Sequence, residues 1–326
     1  MEARQVREDA NPEDAVADAG ELARRIVENV RRVIHAPETL VERCVLALLC
    51  EGHLILEDFP GVGKTMLAKS LARSIDCEFA RIQATPDLLP SDITGVSVFD
   101  LHSNEFSFKP GPVFANLVLV DEVNRASPKT QSALLECMQE IQVTVDGHSH
   151  PLARPFMVIA TQNPIEYEGT FPLPEAQLDR FMMRLHMGYP AIGDEARMLA
   201  EHAGSEPIDS LEAVATGAEI EVAIDAIKGV YVEDTLNRYI VALLHATRAD
   251  GRLTLGASPR AGIALLRAAK AHAAVRGRAY VIPGDVKDVA ADVLAHRVIL
   301  APEARTAGVA PADVVREAVD RTPVPV

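Results

Sequence analysis

The residues best suited to chemistry form the run PGVGKTM, at positions 60–66. Two glycines allow a backbone turn to approach a ligand closely, and its N–H groups, with the start of the next helix, can hold phosphate oxygens. Lys64 supplies a positive charge to the β- and γ-phosphates, and Thr65 offers a hydroxyl to Mg²⁺. The residues predicted to bind ATP or ADP are Pro60, Gly61, Val62, Gly63, Lys64, Thr65 and Met66.

The same run departs from the usual phosphate-loop pattern in one place. G-x-x-x-x-G-K-[ST] begins with glycine, whereas this chain has Asp58 at that position. The structural context of a phosphate loop, a strand before it and a helix after it, is met, because HLILED (from His53) is a predicted strand and residues 64–74 are a predicted helix. A chance GKT in an ordinary turn is the alternative. Asp58 lies at the mouth of the loop and not at the residues expected to touch phosphate.

Two carboxylates, Asp121 and Glu122, follow the apolar run LVLV. A buried charge must be paired or must ligate something, and an adjacent Mg²⁺-nucleotide would meet that need. Asp121 is predicted to hold the ion through water, together with the Thr65 hydroxyl. Glu122 is predicted to polarise the attacking water.

Three further polar residues fit this chemistry. Asn163 ends the run MVIATQN and could orient the attacking water, or it could cap the turn that follows. Arg180 ends a short predicted helix and cannot easily reach its own phosphates, which suggests action on a neighbouring subunit or a solvated arginine. Arg260 follows a predicted N-cap, Ser258, and Pro259. A cation is disfavoured there by the helix dipole, so an anion nearby is expected.

The elements that must position these residues alternate between strands and helices. HLILED, CEFARIQA (from Cys77), NLVLVDE (from Asn116) and RPFMVIATQNP (from Arg154) are continuous apolar runs, as in a parallel sheet buried on both faces. The run SPKTQSALLECMQE between the last two is a predicted helix with Ser127 as N-cap. This alternation predicts a three-layer α/β domain.

Two predicted hairpins, at 96–108 and 142–152, interrupt the alternation. Residues 1–20 are predicted to be a disordered acidic tail, and helical periodicity begins at Glu21. The α/β core is predicted to span 21–190. Residues 191–326 are predicted to be a helical lid with a C-terminal tail.

Composition narrows the range of possible partners and locations. With 32 Lys and Arg against 47 Asp and Glu, the net charge is −15, which argues against nonspecific binding to nucleic acid or an anionic membrane. No apolar stretch approaches a membrane span, and the start is too polar for a signal peptide, so a cytoplasmic location is expected. The four cysteines fit neither a redox pair nor a zinc framework and are interpreted as reduced packing residues. His148 and His150 are interpreted as a solvated turn, not a metal pair.

Together these residues resemble the AAA+ ATPases. The runs LVLVDEVNRASPKTQSALLECMQE and ATQNPIEYEGTFPLPEAQLDRFM resemble the MoxR family specifically, over residues 25–297. The resemblance implies an AAA+ core with a helical lid, in a homo-oligomeric, hexameric ring. It also implies that Lys64 and Thr65 are Walker A, Asp121 and Glu122 Walker B, and Asn163 sensor 1. By the same resemblance, Arg180 is the arginine finger and Arg260 is sensor 2.

The resemblance also bears on partners. The hairpins are similar to inserts of the clade that includes magnesium chelatase and the minichromosome maintenance helicases. MoxR relatives commonly work with proteins that carry a von Willebrand factor A domain, so such a partner is implied. His35 stands where many relatives carry glycine, which leaves contacts with the base open.

The leading hypothesis is ATP hydrolysis that drives remodelling of, or metal insertion into, a partner protein. A DNA translocase is the first alternative, but the acidic net charge disfavours it. So does the run VTVDGHSHPLAR around the second hairpin, in which Arg154, at the end, is the only Lys or Arg. A nucleotide-dependent switch with little hydrolysis and a magnesium-chelatase-like subunit are the others.

Overall fold

The computed structural model describes residues 11–59, 61–102, 104–163, 170–190, 192–201 and 207–324. The chain divides into two compact units. The sheet unit contains residues 26–44 and 51–217. The helical unit contains residues up to 25, residues 45–50 and residues from 218 onward.

The strands are, in chain order, β1 (Leu54–Glu57), β2 (Phe79–Gln83), β3 (Gly95–Asp100), β4 (Glu105–Pro110), β5 (Leu117–Asp121), β6 (Gln142–Val145), β7 (His148–Pro151), β8 (Met157–Gln162), β9 (Met183–Leu185), β10 (Leu253–Leu255) and β11 (Ile299–Leu300). The sheet unit is built on five parallel strands in the order β2-β5-β8-β1-β9. This confirms the predicted α/β core. The short strand β9 was not predicted.

The helices are α1 (Pro12–Arg31), α2 (Glu38–Leu49), α3 (Lys64–Ser74), α4 (Pro90–Thr94), α5 (Pro128–Glu140), α6 (Glu175–Leu178), α7 (Ile192–Glu201), α8 (Gly217–Lys228), α9 (Asp234–Arg248), α10 (Pro259–Val275), α11 (Pro283–Leu294), α12 (Pro302–Thr306) and α13 (Pro311–Arg321). The caps predicted for α5 and α10 are confirmed. Ser127 Oγ accepts the Thr130 N–H at 3.3 Å, and Ser258 Oγ accepts the Ala261 N–H at 3.1 Å. These hydroxyls satisfy N–H groups that have no partner within the helix.

Burial differs between the centre and the edge of the sheet. All five residues of β5 are buried, as the run LVLVD predicts for a strand covered on both faces. β2 is an edge strand in which Ile82 alone is buried. Arg81 and Gln83 are therefore exposed at one end of the sheet, beside the end of β5.

Both predicted hairpins are confirmed. β3 pairs with β4 from Gly95 opposite Pro110, and β6 pairs with β7 from Gln142 opposite Pro151. The turn of the second hairpin uses Asp146 and Gly147, both with positive φ, as expected of an Asp-Gly turn.

The acidic tail is wrong for residues 12–20, which are helical. The prediction gave more weight to the charged residues than to a stripe of small apolar ones. Val16, Ala19 and Ala23 of that stripe are buried. Gly20 allows a close approach: a Cβ there would lie 2.2 Å from the carbonyl oxygen of Ala274. Residues 1–10 lie outside the described part of the chain.

The predicted boundary at 190 also differs from the structure, because residues 191–217 group with the sheet unit. The Val214 and Ala215 N–H groups both donate to the Ser74 carbonyl, at 2.9 and 3.1 Å. This stretch contains α7, which was not predicted, and a 3-10 turn, Pro207–Ser210.

Residues beyond 297, where no helix or strand was predicted, form β11, α12 and α13, and α13 buries Val314, Val315, Ala318 and Val319. β11 pairs antiparallel with β10. The apolar pairs Val314-Val315 and Ala318-Val319 alternate with charged pairs in α13, which is the pattern of a helix with one buried face.

Three of the four cysteines pack inside the protein, as predicted. Cys44, Cys50 and Cys137 are buried, Cys77 is half-buried, and all four are free thiols. Burial raises the pKa of Cys44 to about 12, which keeps that thiol protonated. No helix in the described ranges has both the length and the apolar character to cross a membrane.

Candidate functional site

The phosphate loop joins β1 to α3. Gly61 and Gly63 have φ of 85° and 97°, a left-handed backbone that favours glycine. The second of these glycines is the N-cap of α3, and its carbonyl accepts the Leu67 N–H at 2.9 Å. The first N–H groups of α3 therefore point into the loop, which suits a bound anion. Pro60 lies outside the described residues.

Lys64 begins α3 and turns back over the loop. Its Nζ donates to the Asp58 carbonyl at 2.6 Å and to the Phe59 carbonyl at 3.2 Å. Burial lowers the pKa of Lys64 from its ordinary 10.5, while Asp58, Asp121 and Glu122 oppose that shift. Among the described residues, its hydrogen-bond partners are two carbonyl oxygens, and a phosphate would be a better partner for the ammonium.

Asp121 ends β5 with 7% of its surface exposed. Its Oδ2 accepts Arg81 Nε at 2.7 Å, and its Oδ1 accepts the Thr161 hydroxyl at 3.3 Å. The buried charge is therefore paired, as its position in the core requires. The Arg81 side chain is 51% exposed, so this partner can move into solvent.

Glu122 has φ of 56°, an uncommon backbone for a residue with a side chain. Its N–H donates to Thr161 Oγ1 at 2.9 Å. Its Oε2 accepts Gln83 Nε2 at 3.1 Å and Arg125 Nη1 at 3.0 Å. The turn therefore directs the carboxylate away from β5, toward the end of β2.

These groups meet in one open polar cavity of about 380 Å³. Of the predicted site residues, the cavity is lined by Gly61, Gly63, Lys64, Thr65, Met66, Asp121, Glu122 and Asn163. Asn163 follows β8, which pairs with β5, so its buried side chain comes to the same sheet edge as Asp121. A cavity lined by two carboxylates, two lysines, an arginine, two threonine hydroxyls and the first residues of α3 can hold a polyphosphate with a divalent cation.

A smaller cavity of about 140 Å³ adjoins the first at Gly63 and Met66. It is mainly apolar and is lined by Val33, Ile34, His35, Val62, Gly63, Met66, Met187, Pro190, Met198 and Pro207. Val62 thus faces this cavity and not the polar one. His35, where the sequence left the contacts open, is one of its walls.

Two predicted residues are not among the described lining of either cavity. Arg180 follows α6 and is half-buried, and its backbone N–H donates to the Gln177 carbonyl at 3.2 Å. Arg260 is exposed in the first turn of α10 and belongs to the helical unit.

The chain matches the model of the ATPase family associated with various cellular activities (AAA) over residues 53–183 and the AAA lid domain over residues 245–318. It is 48% identical over 309 residues to the uncharacterised protein YeaC of Bacillus subtilis, which covers 95% of this chain and 97% of YeaC. It is 41% identical over 322 residues to chaperone MoxR1 of Mycobacterium tuberculosis, with 96% and 85% covered. The chain belongs to the MoxR family of AAA+ ATPases.

A solved structure supports the same assignment. A candidate ATPase from Cytophaga hutchinsonii has a TM-score of 0.89 and 38% identity, over 96% of this chain and 98% of that one. The α/β AAA+ core and the C-terminal helical lid expected of a MoxR-family chain are therefore confirmed.

The sequence missed several residues that line the polar cavity of this MoxR-family chain: Lys69, Arg81, Gln83 and Thr161. No motif marks them. A usable signal was present for two, because Arg81 and Gln83 lie two apart at the carboxyl end of β2 and so share a face. Arg125, which pairs with Glu122, was also missed.

Proposed function

We propose that this MoxR-family chain binds Mg²⁺-ATP in the polar cavity, hydrolyses it to ADP and phosphate, and uses the cycle to remodel a partner protein. The observation that carries the proposal is the meeting of Lys64, Asp121, Glu122 and Asn163 around the start of α3. Backbone N–H groups and Lys64 would hold the phosphates. The smaller apolar cavity beside Gly63 is the matching place for the base.

Thr65 and Asp121 are the residues that would hold Mg²⁺. Both line the polar cavity, and both present the hard oxygen ligands that this ion prefers. When bound, Mg²⁺ neutralises charge on the phosphate oxygens.

Glu122 is proposed as the group that accepts a proton from the attacking water, and Asn163 as the group that orients that water. The hydrogen bonds of Glu122 to Gln83 and Arg125 hold its carboxylate at the cavity wall. Gln83 and Arg125 both lie at the surface, so these hydrogen bonds can be replaced when a ligand enters the cavity.

The proposal extends to assembly and partners. Arg180 is proposed as a finger that acts on a neighbouring subunit's nucleotide, since it is not among the lining of its own cavity. A ring, expected to be hexameric, follows from that role, and Arg260 is proposed as sensor 2. The name of chaperone MoxR1 supports a chaperone-like role. A von Willebrand factor A-domain partner, with metal insertion as one form of maturation, rests on family resemblance.

Mixing two inactive variants tests this function. The wild-type chain should hydrolyse ATP with Mg²⁺. Lys64→Ala should lose ATP binding by calorimetry, and Arg180→Ala should bind ATP but turn over roughly 10³-fold more slowly. The mixture should regain activity, because one subunit supplies an intact loop and the other an intact finger. Arg154→Ala, a surface arginine paired with Glu51, is the matched control and should behave as wild type.

Two results would contradict the proposal. Undiminished ATP affinity in Lys64→Ala would remove the phosphate-loop assignment. A co-assembled mixture no more active than its components would count against Arg180 in trans.

A further inference from the structure

Asp58 occupies the first position of the phosphate-loop pattern, where glycine is usual. Its side chain is buried, with only 6% of the residue exposed. The carboxylate nevertheless has three backbone donors: Oδ2 accepts the N–H groups of Met187 and Gly188, the latter at 2.8 Å, and Oδ1 accepts the Phe59 N–H at 3.3 Å. Three donors offset the cost of burying a charge. The departure from glycine therefore comes with a defined set of contacts.

These contacts extend the pairing of two strands beyond the sheet. β1 and β9 run parallel, and their last paired residues are Leu56 and Leu185. Beyond that pair, the His186 Nδ1 hydrogen-bonds the Glu57 carbonyl at 2.7 Å. Two residues later, the Phe59 ring stacks on Tyr189, with centroids 5.7 Å apart and planes 15° apart. We call residues 186–189 the exit segment.

Asp58 is the central link in this row. The pairing of β9 with β1 ends at Leu185, before the exit segment, and Gly188 has a left-handed backbone with φ of 67°. A carboxylate that accepts two successive N–H groups holds such a turn in one conformation. A glycine at 58 would leave both N–H groups without this acceptor.

The exit segment also walls the smaller cavity. Met187 lines it together with Gly63 and Met66 of the phosphate loop, and its Cε lies 3.6 Å from the position a Cβ on Gly63 would take. Asp58 therefore fixes the distance between the loop and the wall that faces it.

We propose that Asp58 is a positioning residue for the nucleoside end of the nucleotide. Its carboxylate holds the exit segment against the phosphate loop, so that Met187 closes the smaller cavity over a base. The residue touches neither phosphate nor base. The inference rests on the proposed nucleotide site for the identity of the ligand, but the link between Asp58 and the exit segment stands on the geometry alone.

Hydrogen exchange in the ligand-free protein tests the link. In Asp58→Gly the Met187 and Gly188 amides should exchange about tenfold faster or more, the scale of one lost hydrogen bond. Asp58→Asn, which keeps one acceptor oxygen, should be intermediate. Asp87→Gly, the same change at an exposed turn of the sheet unit, should leave these amides unchanged.

Calorimetry with two probes tests the consequence. ADP carries phosphates and a nucleoside, whereas inorganic triphosphate carries phosphates alone. Asp58→Gly should bind ADP about tenfold more weakly or worse, and it should bind triphosphate with less than about threefold change.

The outcomes separate the two proposals. Unchanged exchange at Met187 and Gly188 overturns the link, and equal weakening of both probes means that Asp58 acts on the phosphate loop instead. A wild-type chain that binds neither probe removes the nucleotide site, and with it the role at the nucleoside end, even where exchange confirms the link. If Asp58→Gly does not fold, Asp58→Asn carries both measurements.

Discussion

Carboxylates in the two units are paired in different ways. In the helical unit, Asp285 is 1% exposed and accepts four hydrogen bonds, from His272 Nδ1, two Arg278 nitrogens and the Ile282 N–H, at 2.6–2.8 Å. In the sheet unit, Asp121 and Glu122 rely on arginines whose side chains are 51% and 42% exposed.

The difference shows what each group is suited to. The four hydrogen bonds to Asp285 come from residues on its own stretch of chain, so the group holds α10 and α11 together. The partners of Asp121 and Glu122 reach in from solvent and can be replaced by a ligand. We therefore expect loss of Asp285 to cost stability, and loss of Glu122 to cost activity.

The largest expected effect is that of Asp285→Asn. The amide NH₂ would face donors on Arg278 or His272, and the guanidinium would lose its charge partner. Removing one member of a buried pair costs roughly 3–5 kcal/mol. Hydrogen-exchange protection of amides in α10 and α11 measures the change within this unit, without assuming two-state unfolding of the whole chain. Asp234→Asn, an exposed position on α9 of the same unit, is the control. Equal amide protection in the two variants would mean that Asp285 contributes no more to stability than an exposed carboxylate does.

Glu122→Gln should instead lower activity and leave stability almost unchanged. Turnover of ATP should fall at least ~10²-fold, the scale for removing a general base, which is about 3 kcal/mol in the barrier. ATP affinity should persist, and stability should change by less than about 1 kcal/mol because the Arg125 partner is exposed. Steady-state hydrolysis and thermal unfolding measure the two quantities, with the exposed Glu136→Gln on α5 as control. Near-normal turnover would show that Glu122 does not activate water.

The smallest expected effect is a loss of stability at low pH. Burial alone would raise the pKa of Asp285, but hydrogen bonds from Arg278 and His272 and from the Ile282 N–H lower it to about 2, from an ordinary 3.8. A lowered pKa adds stability that is complete above about pH 4 and is lost as the pH falls toward 2. The contribution is about 2 kcal/mol.

Comparing wild type with Asp285→Asn isolates this effect from other acids that also titrate. The difference in amide protection between them should shrink from pH 5 to pH 2.5. A difference that stays constant across that range would mean that the charge of Asp285 contributes no stability.

Predictions from local patterns were correct where one short segment contains all the information that the prediction needs. The glycine turn, Lys64 and the start of α3 follow from seven contiguous residues, because backbone N–H groups and the helix terminus are local features. The buried strand that ends in Asp121 and the Asp-Gly hairpin are local in the same sense. The start of the N-terminal helix was not predicted, because its packing depends on a contact between Gly20 and Ala274, which is far away in the chain.

The family, the glycine turn before α3 and the strands that carry the acidic residues could all be predicted from the sequence. The side chains that complete the candidate site became evident from the folded chain alone. The order β2-β5-β8-β1-β9 places Arg81, Gln83, Thr161 and Asn163 around Asp121 and Glu122, although they come from separate strands. It likewise brings Asp58 to Met187 and Gly188, 129 and 130 positions away. Such contacts have no local periodicity, because they depend on strand order and register, which the packing of the whole sheet sets.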